Sequence, residues 1–420
     1  MKADDRKIYT SEQNKKKRLA IVTMGVKLAD EQRGYTRFRK LSEMLVDAGF
    51  EVDLITSSFQ HWDKAQRDTS DPRYQAAPYS VVFIDEPGYR KNLDLKRIRS
   101  HSVAARKLRT YFAQHADAYD LIYSEIPPND VAYACAQAAC NAEIPYIADI
   151  NDLWPEAMRM AVDIPLISDI AFYPFARDAR KVYKMLSAAV GTSDEYAARP
   201  AQDRDKPYPH ITVYVGNDLS VFDEGVESFS GLIEKQPGEI WATYAGTLGA
   251  SYDLKTLIRA SARLKNRLPH LRVKILGDGP DAPLLQELAE TEDAPVDFLG
   301  YQDYEHMAAY LDRSDILINS LIKSAPQSIV TKIGDYLASG NPIINTGSSP
   351  EFRRKVMSDG FGVNVPAEDE DALAHAIQRL SRNSSVRKIM GTKGRAIAEK
   401  EFDQSQAYRE IVHLIQTLLA

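Results

Sequence analysis

At 420 residues and 47.1 kDa the chain is too long for one ordinary core and suits two domains of roughly 200 residues each. A composition of 44% apolar and 27% charged residues is globular, which excludes disorder, collagen and coiled coil as descriptions of the whole. With 53 basic and 59 acidic side chains the net charge is −6, leaving no overall footprint for nucleic acid.

The N-terminal stretch, residues 1–17, is basic but has no apolar segment of the kind a secretory signal carries. The first ordered element is a buried strand, Arg18–Thr23. A glycine-containing loop from Gly25 to Gly34 follows, then an amphipathic helix, Thr36–Ala48, closed by Gly49. With the next strand, Glu51–Thr56, this makes a βαβ unit, the building block of parallel sheets. Further strands are predicted at Ser80–Ile84, Leu121–Ser124, Tyr146–Ile150 and Ala188–Gly191. Cys135 and Cys140 fall in one helix, five apart, a spacing that gives neither a disulfide framework nor a zinc site and fits a reducing compartment. No apolar run approaches the roughly 18 residues needed to cross a bilayer. The expectation is a cytoplasmic protein.

Polar, proline-rich sequence from Arg199 to Pro209 reads as a loop near a domain boundary. A second alternating series then begins: strand Ile240–Ala245, helix Leu254–Arg267, strand Arg272–Leu276, helix Ala282–Glu290 and strand Val296–Leu299. It continues with helix Tyr304–Asp312, strand Ile316–Asn319, helix Ile329–Ala338 and strand Pro342–Asn345, and a C-terminal helix is predicted at Gln406–Leu419. The pattern is two α/β domains in tandem: an N-terminal tail at 1–17, then 18–200 and 201–400, with a helical C-terminus at 401–420.

Three stretches carry candidate chemistry. In Val273–Pro280, Gly277 and Gly279 turn the chain at the carboxyl end of a strand, where phosphate-bearing ligands bind in open α/β sheets; a plain βα turn would also need a glycine. In Thr331–Ile344, Asp335 lies one turn after Thr331 on the predicted helix and suits a ribose diol, while Lys332 offers a point charge to a phosphate. The plain readings are a solvated helix carboxylate and a surface lysine. In Asp149–Glu156, three carboxylates and a Trp follow a strand, either as a polar cleft floor for acceptor hydroxyls or, for Asp152, as a helix N-cap.

The segment Tyr89–Phe112 sets eight Lys and Arg residues and one acid, Asp94, among apolar residues. It reads as an interfacial helix drawn to anionic lipid or as the solvated face of a core-packed helix. The eight histidines show no metal-ligand spacing, and HExxH, GxSxG and Walker sequences are absent, so no metal or cofactor is expected.

The ordered set of motifs resembles the family-4 retaining glycosyltransferases of the GT-B fold over about residues 18–418, closest to the bacterial capsule, O-antigen and exopolysaccharide branch. The set comprises the Gly25–Gly34 loop, Asp149–Glu156, Tyr244–Gly249, Leu276–Pro280, Asp297–Gly300 and Lys332–Pro342. The resemblance implies two facing Rossmann-like domains with the active site in the cleft between them. A nucleotide-sugar would be held by Gly246, Thr247, Gly277, Gly279, Tyr301, Gln327, Lys332 and Asp335. Of these, Tyr301 would lie at the base, Asp335 at the ribose, and Lys332 with the Gly246–Gly249 loop at the diphosphate. Gly34, Asn151 and Asp152 would meet a lipid-linked or glycan acceptor, and Asp152 and Lys332 would carry catalysis. The expected protein works in surface-polysaccharide synthesis, on or near the inner face of the cell membrane.

Three positions depart from the family pattern. The usual glutamate pair eight residues apart is Gln327 and Asp335; the usual basic residue after Ala-Gly is Thr247; the acceptor-side histidine of many members is Asn151. Two alternatives therefore stand beside the transferase: a partner subunit without catalysis, and a sugar-nucleotide epimerase of the same architecture, which would need histidines such as His210, His270 or His306 in the site.

Overall fold

The computed structural model describes residues 16–29, 31, 36–91, 94–159, 167–325 and 329–420. Strands of the first half are β1 (Arg18–Val22), β2 (Glu51–Ser57), β3 (Phe59–Gln60), β4 (Ala65–Gln66), β5 (Ser80–Ile84), β6 (Leu121–Ile126), β7 (Tyr146–Ile150), β8 (Ala188–Gly191) and β9 (His210–Thr212). The first sheet runs in the order β5-β2-β1-β6-β7-β8-β9, while β3 and β4 form a separate antiparallel pair. β1 pairs in parallel with β2 and β6, β2 with β5, and β8 with β9. Leu19, Ala20, Ile21 and Val22 are all buried, as expected of a strand covered on both faces. The helix Arg37–Asp47 lays Phe38, Leu41 and Leu45 inward at helical spacing.

The second half supplies β10 (Ile240–Ala245), β11 (Leu271–Leu276), β12 (Val296–Gly300), β13 (Ile316–Asn319), β14 (Ile343–Asn345) and β15 (Gly362–Asn364). Their order is β12-β11-β10-β13-β14-β15, with every pairing parallel. Alternation along the strands sorts the core into two layers. Ala242, Tyr244, Ile275 and Ile318 pack with the helices Leu254–Leu264 and Glu370–Ser381. Ala245, Leu276, Leu317 and Ile343 pack with Leu219–Phe229, Tyr304–Arg313 and Ile333–Ala338. In both sheets the chain winds outward in one direction and then returns to the other side of its first strand. The carboxyl ends of β1 and β6, and of β10 and β13, are thus the points where such sheets open a crevice for ligands.

Most predicted strands stand within a residue or two of expectation, and the exceptions have local reasons. β9 and β15 are only three residues long and carry His, Thr, Gly or Asn, too short and polar to signal a strand. The helix expected from Ile329 begins only at Ile333, so exposed Thr331 shares no helical face with Asp335. At the C-terminus a π-turn, Ala398–Phe402, precedes two helices, Gln404–Ala407 and Arg409–Leu419, in place of one.

By its contacts the chain divides into two units: residues 1–149, 177–188 and 414–420, and residues 150–176 and 189–413. The basic segment forms a helix, Leu95–His115, whose Ala104, Ala105, Leu108 and Phe112 pack into the core of the first unit. Its outer face carries Lys96, Arg99, Arg106 and Lys107 beside exposed Leu95 and Ile98. No helix among the described residues is long and apolar enough to cross a membrane.

Candidate functional site

In the second unit, three strand ends build one surface. The Gly277 N–H donates to the Gly300 carbonyl at 2.7 Å, and the Gly246 N–H to Leu276 at 2.9 Å. The Leu248 N–H donates to Asp278 at 3.0 Å, and Asp281 returns a bond to Leu248 at 3.1 Å. Gly277, at φ +131°, is required by this approach: a Cβ there would lie 1.8 Å from the Gly246 carbonyl oxygen, and one on Gly279 2.1 Å from that of Leu248. Close loop packing thus explains both glycines, and it fixes the 246–249 loop against the next strand end. Thr247 is exposed on that loop, and the Tyr301 ring is 65% exposed just beyond β12.

Lys332 reaches this surface from below. Its Nζ is buried, lies 3.9 Å from the ring centre of Tyr244 and 4.2 Å from that of Tyr252, and has no hydrogen-bond partner among the described residues. The surface-lysine reading therefore fails. Desolvation holds its pKa well below the usual lysine value. Two aromatic faces offset only part of that cost. A Cβ on Gly246, at φ +146°, would stand 2.6 Å from this nitrogen, so the glycine leaves the ammonium an open backbone beside it. Next to Lys332 on the same turn of chain, the buried Tyr336 hydroxyl bonds the Ala245 N–H at 2.8 Å and the Ile318 carbonyl at 3.3 Å. It fills the gap where β10 and β13 part.

Asp335 is not a solvated carboxylate either. Its Oδ1 accepts from Asn217 Nδ2 at 2.9 Å and from the Tyr304 hydroxyl at 2.8 Å. Burial pushes its pKa up to about 6, against the pull of those two bonds. Asn217 and Tyr304, 118 and 31 residues distant, were invisible as partners in the sequence. Gln327 and Gly34 lie outside the described residues.

At the carboxyl end of the first sheet the chemistry is reversed in sign. Arg37 and Asp149 form a buried ion pair: Nε meets Oδ2 at 2.8 Å and Nη2 meets Oδ1 at 3.1 Å, with both side chains almost wholly enclosed. The Tyr123 hydroxyl donates to the same Oδ2 at 2.6 Å. Beside this pair Thr23 Oγ1 donates to Glu125 Oε2 at 2.5 Å and accepts from the Gly25 N–H at 3.2 Å. Desolvation, with the Asp149 charge adding to it, pushes Glu125 up to about 8, although Thr23, the Met24 backbone and Arg37 act the other way. Glu125 did not stand out in the sequence; its position on the penultimate residue of β6, opposite the end of β1, is the only signal that would have found it.

The Asp149–Glu156 run separates into distinct parts. Asp149 belongs to the ion pair. Asn151 is half-buried just past β7. Asp152 bonds its own loop, Oδ1 accepting the Leu153 N–H at 2.9 Å and Oδ2 the Trp154 indole N–H at 3.2 Å. Glu156 pairs with Arg199 at 3.1 Å. Of the histidines an epimerase would call on, His210 and His270 are exposed, and His306 is half-exposed and bonded to Asp303.

Residues 240–383 match the family model described as Glycosyl transferases group 1. Amylovoran biosynthesis glycosyltransferase AmsK of Erwinia amylovora is 28% identical over 173 residues, 39% of this chain and 42% of that protein. EpsD of Bacillus subtilis (strain 168) is 24% identical over 172 residues, 41% of this chain and 44% of EpsD. The chain thus spans less than half the length of the curated relatives it matches. Among solved structures, sucrose-phosphate synthase of Thermosynechococcus elongatus superposes with a TM-score of 0.69 at 16% identity, covering 96% of this chain and 99% of that one. Anabaena HepE in complex with UDP-glucose gives 0.65 at 14% identity, covering 95% and 99%. Residues 240–383 are accordingly similar to the group 1 glycosyl transferases, in a chain with the GT-B fold.

Proposed function

We propose that the protein is a retaining glycosyltransferase of the capsule-type branch, which moves a sugar from a nucleotide-diphosphate donor to a lipid-linked or glycan acceptor in surface-polysaccharide synthesis. The observation that carries this reading is Lys332: a buried ammonium with no hydrogen-bond partner among the described residues, set beside an open glycine loop where the second sheet divides. Such a group is costly as it stands and is relieved by an anion. A diphosphate leaving group gains charge as the glycosidic bond breaks, so the ammonium and the Gly246–Gly249 backbone stabilise the transition state more than the ground state. Asp335 takes the ribose hydroxyls, Tyr301 stacks on the base, and Gln327 borders the sugar. The acceptor oxygen bonds the anomeric carbon on the face the diphosphate leaves, and its proton passes to a leaving phosphate oxygen, which gives retention. Gly34, Asn151 and Asp152 belong to the acceptor side. Solved relatives in fold that hold UDP and UDP-glucose support the class of donor.

The basic outer face of Leu95–His115 would rest on the inner face of the cell membrane, near a lipid-linked acceptor. Four basic residues around two exposed apolar ones suit reversible attachment to anionic lipid.

The test is a thermal-shift panel of nucleotide diphosphates and nucleotide-sugars on the protein and on Lys332→Met, followed by donor hydrolysis with whichever stabilises it. Stabilisation that depends on Lys332, with turnover, supports the transferase. Binding without turnover favours the partner-subunit alternative, and stabilisation by no nucleotide overturns the reading.

A further inference from the structure

Asp335 is held in place by two residues that none of the sequence motifs contains. Its Oδ1 accepts from the Tyr304 hydroxyl at 2.8 Å and from Asn217 Nδ2 at 2.9 Å, and the same amide donates to the Tyr304 oxygen at 3.3 Å. Both bonds from described residues therefore fall on one carboxylate oxygen, and the side chain is only partly enclosed. The two donors are fixed from different directions. Tyr304 opens the helix Tyr304–Arg313 behind its N-cap, Asp303, four residues after Gly300 at the end of β12. Asn217 is 7% exposed and pinned through its backbone: its N–H donates to the Phe402 carbonyl at 2.9 Å, and its carbonyl accepts from the Gln404 N–H at 3.0 Å. A Cβ on Gly334, just before Asp335, would stand 3.0 Å from Asn217 Oδ1, so the missing side chain gives the amide room to approach. Two neutral donors on one oxygen orient a short carboxylate without cancelling its charge.

We propose that Tyr304 and Asn217 are positioning residues that hold Asp335 by Oδ1 so that Oδ2 accepts both hydroxyls of a ribose, which makes the site selective for ribonucleotide over deoxyribonucleotide donors. This rests on the transferase reading and on Asp335 as its ribose residue, and it narrows the class of donor. A carboxylate oxygen has two lone pairs, enough for the 2′- and 3′-hydroxyls together. A deoxyribose leaves one of them unmatched in a partly enclosed site, and a site built to bond a hydroxyl discriminates strongly against the analogue that lacks it.

The experiment titrates the full chain with UDP, ADP and GDP by calorimetry, then with the 2′-deoxy form of the one that binds tightest. The wild type is expected to prefer the ribonucleotide by about tenfold or more. Tyr304→Phe and Asn217→Ala should each weaken the ribonucleotide by about five- to tenfold and its deoxy form by only about twofold, which narrows the preference. In an Asp335→Ala background, Tyr304→Phe should have no further effect on either nucleotide. With the matching nucleotide-sugar, donor KM rises in both single variants while kcat stays within a few-fold. A packing role would instead weaken both nucleotides alike and add to Asp335→Ala. Full discrimination retained by Tyr304→Phe and Asn217→Ala overturns the proposal, as do equal wild-type affinities for the two forms. Ribonucleotide binding that survives Asp335→Ala removes the ribose assignment, and the proposal with it, while the transferase reading stands. If none of the three diphosphates binds, the transferase reading itself fails, and that result is visible before any variant is made.

Discussion

The two sheets share a winding order and differ in the charge at the point where each divides. The second sheet holds Lys332 there, a cation on two aromatic faces with no hydrogen-bond partner among the described residues. The first holds Glu125 beside the Arg37–Asp149 pair, a closed couple that cancels itself. One end thus presents a buried ammonium and the other a buried ion pair. The comparison teaches that topology chooses where a ligand can sit, while the residue left without a partner chooses which ligand. Arg37–Asp149 and Lys332 also mark the two ways to keep a charge in a protein interior. The first is satisfied from within the fold, and under the proposed function the second is satisfied by the diphosphate.

The sharpest way to break that contrast is to open the closed couple. Arg37→Met leaves Asp149 buried and uncompensated and should cost about 3–5 kcal/mol, read by urea unfolding, whereas Arg37→Met with Asp149→Leu should recover most of it. Equal destabilisation in both proteins would show that packing, not charge, holds this corner.

Lys332 should behave in the opposite sense. Lys332→Met removes a buried, desolvated ammonium, so the melting temperature stays or rises while kcat/KM falls by about 10²–10³. A variant that melts lower with unchanged kinetics would make Lys332 a structural residue.

Asp335→Asn keeps an oxygen for Asn217 and Tyr304 but loses the charge offered to a ribose, and donor affinity should drop by about 1.5–3 kcal/mol in a titration. Its stability should move the other way, with a definite sign. Because the folded pKa of Asp335, about 6, lies above the ordinary value of 3.8, the folded state holds the proton more tightly. Wild-type stability therefore falls as pH rises from about 4 to 6 and is level above that, and the asparagine variant gains on the wild type over the same interval. Melting curves that run parallel across this range would remove the buried-carboxylate argument.

The smallest effect belongs to the outer face of the first unit. Changing Arg99, Arg106 and Lys107 to Glu should abolish co-sedimentation with anionic liposomes at low salt, each basic group contributing about 1 kcal/mol, and wild-type binding should fade at high salt. Binding indifferent to lipid charge would return this helix to a solvated face.

The local pattern was legible because it rests on local physics. Buried runs such as Leu19–Val22, glycine at helix ends and apolar spacing along Arg37–Asp47 each report burial and backbone freedom within a few residues. The glycines at 277 and 279 were legible as a turn, but the loop they admit, Leu248, was not. Lys332 and Asp335 were picked out by motif, while their state was hidden. Whether a lysine is a surface charge or a buried one depends on Tyr244 and Tyr252, some 80 residues earlier, and whether an aspartate is solvated depends on Asn217 and Tyr304. Asp152 was likewise picked out by motif, while its bonds to the Leu153 N–H and the Trp154 indole were not legible in the sequence. The sequence by itself determined the two α/β series and the strand ends where ligands gather. Only the tertiary structure decided which charges there are paired, because pairing and desolvation are set by strands and helices that meet across a sheet, not along the chain.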